Sequence, residues 1–103
     1  MPQWVKVAST SELSPGSCIT VHANGKALAL SNVDGTFYAI DDLCAHHGGP
    51  LGEGTLEGTT ITCPWHHWQY DVTTGEGRVN PQMKIDTYPV KVEGDGVMVE
   101  IAD

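Results

Sequence analysis

Residues 17–40, SCITVHANGKALALSNVDGTFYAI, decide the fold class of this chain. Three runs in this stretch are rich in β-branched and small apolar residues, and apolar and polar side chains alternate along them, which is typical of half-buried strands. The runs cover residues 17–22, 26–31 and 36–40, with Asn24-Gly25 and Asp34-Gly35 between them. Both dipeptides are strong signals for tight hairpin turns. The stretch therefore predicts three antiparallel strands.

The two ends of the chain extend this pattern. The sequence WVKVA at residues 4–8 alternates in the same way, and residues 88–93 and 97–101 flank a turn at Gly94-Asp95-Gly96. Ser11-Glu12-Leu13 gives only a weak helix signal before Pro15-Gly16, enough for one turn. We therefore predict an all-β protein, a small antiparallel sandwich or barrel.

A long segment interrupts the strands. Residues 43–77 are dense in Gly, His, Pro and Trp, and within them only residues 68–71 indicate a strand. Loops carried on a rigid sheet often bear the function. The 103 residues fit one domain over 1–103, so the segment predicts an inserted binding subdomain rather than a second domain.

The charge balance limits the classes of partner that this chain can bind. Five basic and thirteen acidic residues give a formal charge of −8, a field that repels nucleic acid and anionic membranes and favours proteins with a basic patch. Simple solubility is the other explanation of this charge. The first twenty residues contain no signal-peptide pattern, and no apolar run is long enough to cross a bilayer. We expect a cytoplasmic protein with neither a nucleic-acid nor a membrane partner.

Two short clusters of cysteine and histidine lie within the inserted segment. Cys44-Ala45-His46 and Cys63-Pro64-Trp65-His66 each supply one sulfur and one nitrogen ligand, and sixteen residues separate His46 from Cys63. Two such loops suit either tetrahedral zinc or a 2Fe–2S cluster that has cysteines on one iron and histidines on the other. Glycines follow the first pair at positions 48, 49, 52 and 54. They favour the cluster, because inorganic sulfide needs backbone N–H groups that approach closely.

This arrangement resembles that of the Rieske iron–sulfur proteins, and in particular the small soluble Rieske-type ferredoxins. The likeness includes both ligand motifs, the Gly-Gly-Pro-Leu after the first, the proline after the second cysteine, and the segments WVKVA, SELSPG, DGTFYAI and YPVKV. It implies a Rieske 2Fe–2S cluster bound by loops at about 43–54 and 62–70. Cys44 and Cys63 would hold the inner iron, and His46 and His66 the outer one.

The chain departs from the family pattern in two places. His67 stands where glycine is common, so a His-His pair occurs at 46–47 and again at 66–67. The motif register favours His46 and His66 as ligands and makes His47 and His67 polar neighbours. The extra cysteine pair of respiratory Rieske proteins is missing, which indicates the lower-potential ferredoxin branch. Cys18, outside both motifs, is predicted to be a buried small apolar residue far from the cluster.

The resemblance implies a one-electron carrier rather than an enzyme, and a monomer when it is not bound to a partner. A flavin-dependent ferredoxin reductase that oxidises NADH or NADPH would donate the electron. A terminal oxygenase, such as an aromatic ring-hydroxylating dioxygenase, or another reductase would accept it. One alternative is a small Rieske-like subunit of an assimilatory nitrite reductase, and the other is a structural zinc module without a redox role.

Several neighbouring residues could contribute to docking. Trp65 is predicted to lie at the surface and Trp68 in the core, and Asn80-Pro81 could cover the cluster or simply form a turn. Asp41, Asp42, Glu53 and Glu57 are interpreted either as an acidic rim for a basic partner or as part of an ordinary solvated surface.

Overall fold

Three antiparallel sheets make up the computed structural model, which describes residues 3–42, 50–65, 68–78, 82 and 84–101. The strands of the described residues are β1 (Gln3–Ser9), β2 (Cys18–Ala23), β3 (Lys26–Val33), β4 (Thr36–Asp41), β5 (Thr55–Glu57), β6 (Thr60–Thr62), β7 (Gln69–Asp71), β8 (Thr87–Tyr88), β9 (Val90–Glu93) and β10 (Gly96–Ile101). The sheet orders are β1-β10-β9, β2-β3-β4-β8 and β5-β6-β7. The prediction of an all-β fold is confirmed.

The two predicted hairpin turns join β2, β3 and β4. Asn24 and Gly25 have φ angles of 49° and 81°, and Asp34 and Gly35 have 51° and 92°. Two successive positive φ angles are what a type I′ turn requires, and its twist matches that of the paired strands. The central sheet therefore forms from local sequence signals.

Pro89 divides the strand that we predicted over residues 88–93. Tyr88 pairs with Ala39 in the central sheet, whereas Val90 pairs with Val99 in the sheet of β10. Proline has no N–H to donate to a ladder, so the chain changes sheets at this point. The predicted hairpin survives as β9 and β10 alone.

Both faces of the central sheet are buried, so the prediction of half-buried strands is wrong for β3, which has buried residues on both faces. Leu28, Leu30 and Ala39 pack into one core with the β1-β10-β9 sheet, while Ala29 and Ile40 pack on the opposite face. This follows from the two-residue period of a strand. The second core is completed by the inserted segment, through Leu51, Leu56, Ile61, Cys63, Tyr70, Val72 and Ile85.

The inserted segment carries a small sheet of its own. The strand predicted over residues 68–71 is present as β7, which begins one residue later, at Gln69. Strands β5 and β6 precede it and were not predicted. Each is three residues long, too short to show an alternating pattern. The described part of the chain contains no helix with the length and apolarity that a membrane span requires.

Candidate metal centre

Cys63 directly follows β6 and lies in the second core. It is fully buried, and its backbone N–H donates to the Trp68 carbonyl over 2.7 Å. That bond joins the two ends of the loop that contains the C-x-x-H motif. Its sulfur accepts the backbone N–H of Trp65, with N and Sγ 3.4 Å apart. The loop thus turns an N–H group onto a buried sulfur.

The two tryptophans of this loop differ in exposure, as predicted. Trp65 is 51% exposed, whereas Trp68 is partly buried and packs against the second core. The chain therefore runs from the core at Cys63 to the surface at Trp65 within two residues.

Residues 43–50 contain the C-x-H motif and are called the first ligand segment here. The residues on its two sides also lie together. The Asp42 carbonyl accepts the Leu51 N–H over 2.6 Å, so residues 42 and 51, on the two sides of this segment, are hydrogen-bonded to each other. Beside this bond Gly52 packs against the backbone of β2, and a Cβ on Gly54 would collide with the Thr62 carbonyl. These two glycines allow close approach to neighbouring strands, which differs from our interpretation that they serve the cluster.

Cys63 is the one predicted ligand that falls within the described residues. Cys44, His46 and His66 lie outside them, as do His47, His67 and the Asn80-Pro81 segment. The four-ligand set therefore stays a prediction.

The described residues before and after the segment that includes Pro81 are hydrogen-bonded to β7 and to the residues that follow it. Arg78 donates its N–H to the Gln69 carbonyl over 2.8 Å, and Ile85 donates to the Gly75 carbonyl over 2.9 Å. Gly75 has a φ of 81°, and a Cβ there would collide with the Ile85 carbonyl. Arg78, before this segment, and Ile85, after it, are thus each held against residues 69–75.

The predicted acidic rim is wrong for Asp42. Glu53 and Glu57 are exposed, but Asp42 is only 4% exposed. Its Oδ1 accepts the Gly52 N–H over 2.7 Å and the Thr20 hydroxyl over 3.0 Å. A sequence signal was present, because Asp42 lies two residues after the buried Ile40 and therefore on the same face.

Cys18 lies in β2, closer to the first ligand segment than we predicted. It is half-buried, and its Sγ donates to the Gly54 carbonyl over 3.6 Å. Burial raises the pKa of the Cys18 thiol, and the negative charge of Asp42 raises it further. A thiol that resists ionisation is a poor metal ligand, which agrees with its place outside both motifs.

The one described ligand of the site, Cys63, fits an iron–sulfur cluster. Thiolate is the ligand that iron–sulfur clusters prefer, and N–H bonds to sulfur are among the interactions that set their potentials. Cys63 offers a buried sulfur with such a bond already made. A buried sulfur, an ordered N–H donor and an adjacent surface residue define a candidate electron-transfer site.

Comparison with known proteins agrees with this. The sequence model of the Rieske [2Fe-2S] domain matches residues 3–89. The chain belongs to the Rieske [2Fe-2S] family. It is 40% identical over 97% of both sequences to the ferredoxin component of the naphthalene 1,2-dioxygenase system of Pseudomonas aeruginosa.

Solved structures agree as well. A chain of the complex of reduced oxygenase and oxidized ferredoxin in carbazole 1,9a-dioxygenase superposes with a TM-score of 0.85 and 36% identity, over 93% of this chain and 91% of that one. The predictions of a Rieske-type ferredoxin, of a 2Fe–2S cofactor and of an electron-transfer component rather than an enzyme are confirmed. The cofactor of this chain is a Rieske-type 2Fe–2S cluster, and the zinc alternative is set aside.

The nitrite reductase alternative rests on fold alone. The putative NADH-dependent nitrite reductase small subunit from Mycobacterium tuberculosis superposes with a TM-score of 0.89 over 100% of this chain and 98% of that one, but is only 20% identical. At that identity the likeness shows a shared architecture.

Proposed function

We propose that Cys44, His46, Cys63 and His66 hold the 2Fe–2S cluster, in loops at about 43–54 and 62–70 of a single domain spanning 1–103. When bound, the cluster accepts and releases one electron at a time. The observation that carries this assignment is the buried Cys63 sulfur with its N–H bond from Trp65.

The ligand types account for the kind of carrier. Two thiolates and two neutral imidazoles leave the oxidised site without net charge, whereas four thiolates would leave it doubly negative. Adding an electron to a neutral site costs less free energy than adding one to a doubly negative site, and a low local dielectric enlarges this difference in cost. We place the potential in the lower part of the Rieske range of about −150 to +300 mV.

The partners follow from the relatives. The electron comes from a flavin-dependent ferredoxin reductase that oxidises NADH or NADPH, and goes to a terminal oxygenase of the aromatic ring-hydroxylating type. The relatives named above support the oxygenase, because they are a ferredoxin component of a dioxygenase system and a ferredoxin–oxygenase complex. The carrier acts in the cytoplasm as a monomer between encounters.

The charge of the chain suits this role. A net charge of −8 steers the protein toward a basic surface on either partner. Glu53, two residues before β5, and Glu57, the last residue of β5, are both exposed. Steering of this kind raises the encounter rate and weakens as salt screens it.

Two sets of experiments test the proposal. The first compares substitutions of the proposed ligands with those of their histidine neighbours in iron and sulfide content and in the EPR spectrum of the reduced protein. Cys44→Ser and Cys63→Ser should abolish cluster assembly. His46→Ala and His66→Ala should destroy the Rieske spectrum, while the matched controls His47→Ala and His67→Ala should retain it. The opposite histidine pattern would move the ligand register by one residue.

The second set measures electron transfer. Protein reduced by a flavin-dependent ferredoxin reductase should be reoxidised by a terminal dioxygenase with its aromatic substrate, and the rate should fall as salt is added. A loaded protein that the oxygenase does not reoxidise would reject the proposed acceptor, and a rate independent of salt would reject electrostatic steering.

A further inference from the structure

Asp42 is a buried carboxylate directly before the first ligand segment. Its side chain accepts two hydrogen bonds, from the Gly52 N–H at 2.7 Å and from the Thr20 hydroxyl at 3.0 Å. A buried carboxylate is stable only when such donors replace the water it loses. Its backbone is tied as well, since its carbonyl accepts from Leu51 and its N–H donates to Ala27 over 3.2 Å.

These bonds join three separate parts of the chain. Thr20 belongs to β2, Asp42 directly follows β4, and Gly52 lies in the short 3-10 turn Leu51–Glu53. The carboxylate therefore connects β2 to the residues on the two sides of the first ligand segment, Asp42 itself and Gly52.

Close packing reinforces the connection. A Cβ at position 52 would stand 2.5 Å from the Thr20 nitrogen, so only glycine lets the turn lie this close to β2. Cys18, two residues before Thr20 and on the same face of the strand, donates to the Gly54 carbonyl. Cys18 and Thr20, on one face of β2, thus contact Gly54 and Gly52, which follow the first ligand segment.

We propose that the Asp42 carboxylate, held by Thr20 and Gly52, is a positioning group for the cluster. It sets where the segment bearing Cys44 and His46 begins and ends, and through that the placement of two ligands relative to Cys63. This inference rests on the ligand assignment proposed above. The Asp42 Oδ1 accepts from two donors on separate elements, which suits a group that must define a position.

Thr20→Val is the informative substitution. It is close to isosteric, suits a β-strand, and removes the hydroxyl donor while leaving the Asp42 charge in place. Thr20→Ser restores the donor. Asp42→Ala removes the acceptor itself and serves as a second, more severe variant.

Tyr88→Phe is the matched control. Its hydroxyl donates to the neighbouring carboxylate, Asp41 Oδ1, over the same 3.0 Å. The Asp41 carboxylate also pairs with Lys26 at 3.9 Å. Because successive side chains of extended backbone point to opposite faces, Asp41 is expected on the face opposite to Asp42.

The test uses the cluster-loaded, full-length protein. Three properties are measured in each variant: the EPR g-values of the reduced state, the midpoint potential, and hydrogen exchange of the peptide covering residues 50–54. In Thr20→Val we expect altered g-values, a shifted potential and about ten-fold faster exchange at that peptide, since one bond of the Asp42 network is lost. Thr20→Ser and Tyr88→Phe should match the wild type, and Asp42→Ala should enlarge the change.

The inference is overturned if Thr20→Val lowers only the melting temperature and leaves the g-values and potential unchanged, because the contact would then be purely structural. It is also overturned if Tyr88→Phe has the same effect. A loaded wild-type protein that passes electrons, beside a Thr20→Val variant with unchanged spectra, rejects this inference alone. Cluster retention in Cys44→Ser would instead reject the proposed ligand set.

Discussion

Gly52→Ala should be among the most damaging single-methyl changes in this protein. The added Cβ would stand 2.5 Å from the Thr20 nitrogen and 2.6 Å from the Ile19 carbonyl carbon. Ordinary carbon contacts lie at roughly 3.5–4.0 Å, so the backbone at Gly52 or at β2 must retreat by about 1 Å. The added Cβ would also meet the Thr20 hydroxyl, a side-chain atom that can rotate away. The Thr20 nitrogen and the Ile19 carbonyl carbon are backbone atoms that no rotamer change can move, and β2 is paired with β3 over its whole length.

The expected destabilisation has two sources. Overpacking of a well-filled interior costs about 1–3 kcal/mol. A retreat of this size also breaks the 2.7 Å bond from the Gly52 N–H to Asp42, and a hydrogen bond to a charged group contributes about 1.5–3 kcal/mol. Together they remove about 2.5–6 kcal/mol from a total of about 5–15 kcal/mol that is typical of small domains.

Thermal unfolding followed by far-UV circular dichroism measures this effect. For a domain of this size about 1 kcal/mol corresponds to a shift of about 4–8 °C, so the melting temperature should fall by at least about 10 °C and by as much as about 48 °C. Gly96→Ala is the matched control, since Gly96 is also buried but its Cβ would meet its nearest neighbours at 3.4 Å. We expect it to cost no more than about 1 kcal/mol. The packing argument fails if Gly52→Ala melts within a few degrees of the wild type or of Gly96→Ala.

Three further predictions concern the surface and the titratable groups. Trp65→Ala should weaken binding to the terminal oxygenase by about thirty-fold, the loss typical of an interface hot spot of about 2 kcal/mol. The control Trp4→Ala removes a 38% exposed tryptophan from β1, in another sheet, and should leave the binding unchanged. Equal effects of the two substitutions in a titration of the complex would exclude a docking role for Trp65. Cys18 should react with iodoacetamide at pH 8 at least ten-fold more slowly in the folded protein than in urea, because burial and Asp42 raise its pKa; peptide mapping that finds equal rates would contradict this. Burial acts to raise the pKa of Asp71, but the two hydrogen bonds from Thr73 and the charge of Arg78 outweigh it and hold that pKa below the ordinary 3.8. Stability from Asp71 should therefore be present above pH 3.8 and be lost as the pH falls through the lower folded-state pKa, so Asp71→Asn should flatten the acid limb of an unfolding free energy measured from pH 6 to 2.5, and an unchanged limb would refute the assignment.

The hairpins and the ligand motifs could be predicted because their signals are local. Asn24-Gly25 and Asp34-Gly35 adopt positive φ angles whatever lies beyond them, and the turn then selects the antiparallel pairing of the strands on either side. The C-x-H and C-x-x-H spacings are likewise properties of short segments. Cys63 was found in this way, and the structure adds its burial and its N–H bond.

The short strands of the insert could not be predicted in the same way. Strands β5 and β6 have three residues each, and they are held by the second core rather than by their own propensity. Pro89 marked a possible break, but which sheet each side would join depends on β4 and β10, far away in the chain.

The amino-acid sequence alone determined the all-β class, the two-loop ligand pattern and the family, because turns and ligand spacings are encoded within a few consecutive residues. Only the tertiary structure decided that Asp42 is a buried acceptor rather than part of an acidic rim. Its two side-chain donors lie ten and twenty-two residues away. Whether a carboxylate faces water or an interior donor depends on which distant segments pack against it, and that is a property of the folded chain.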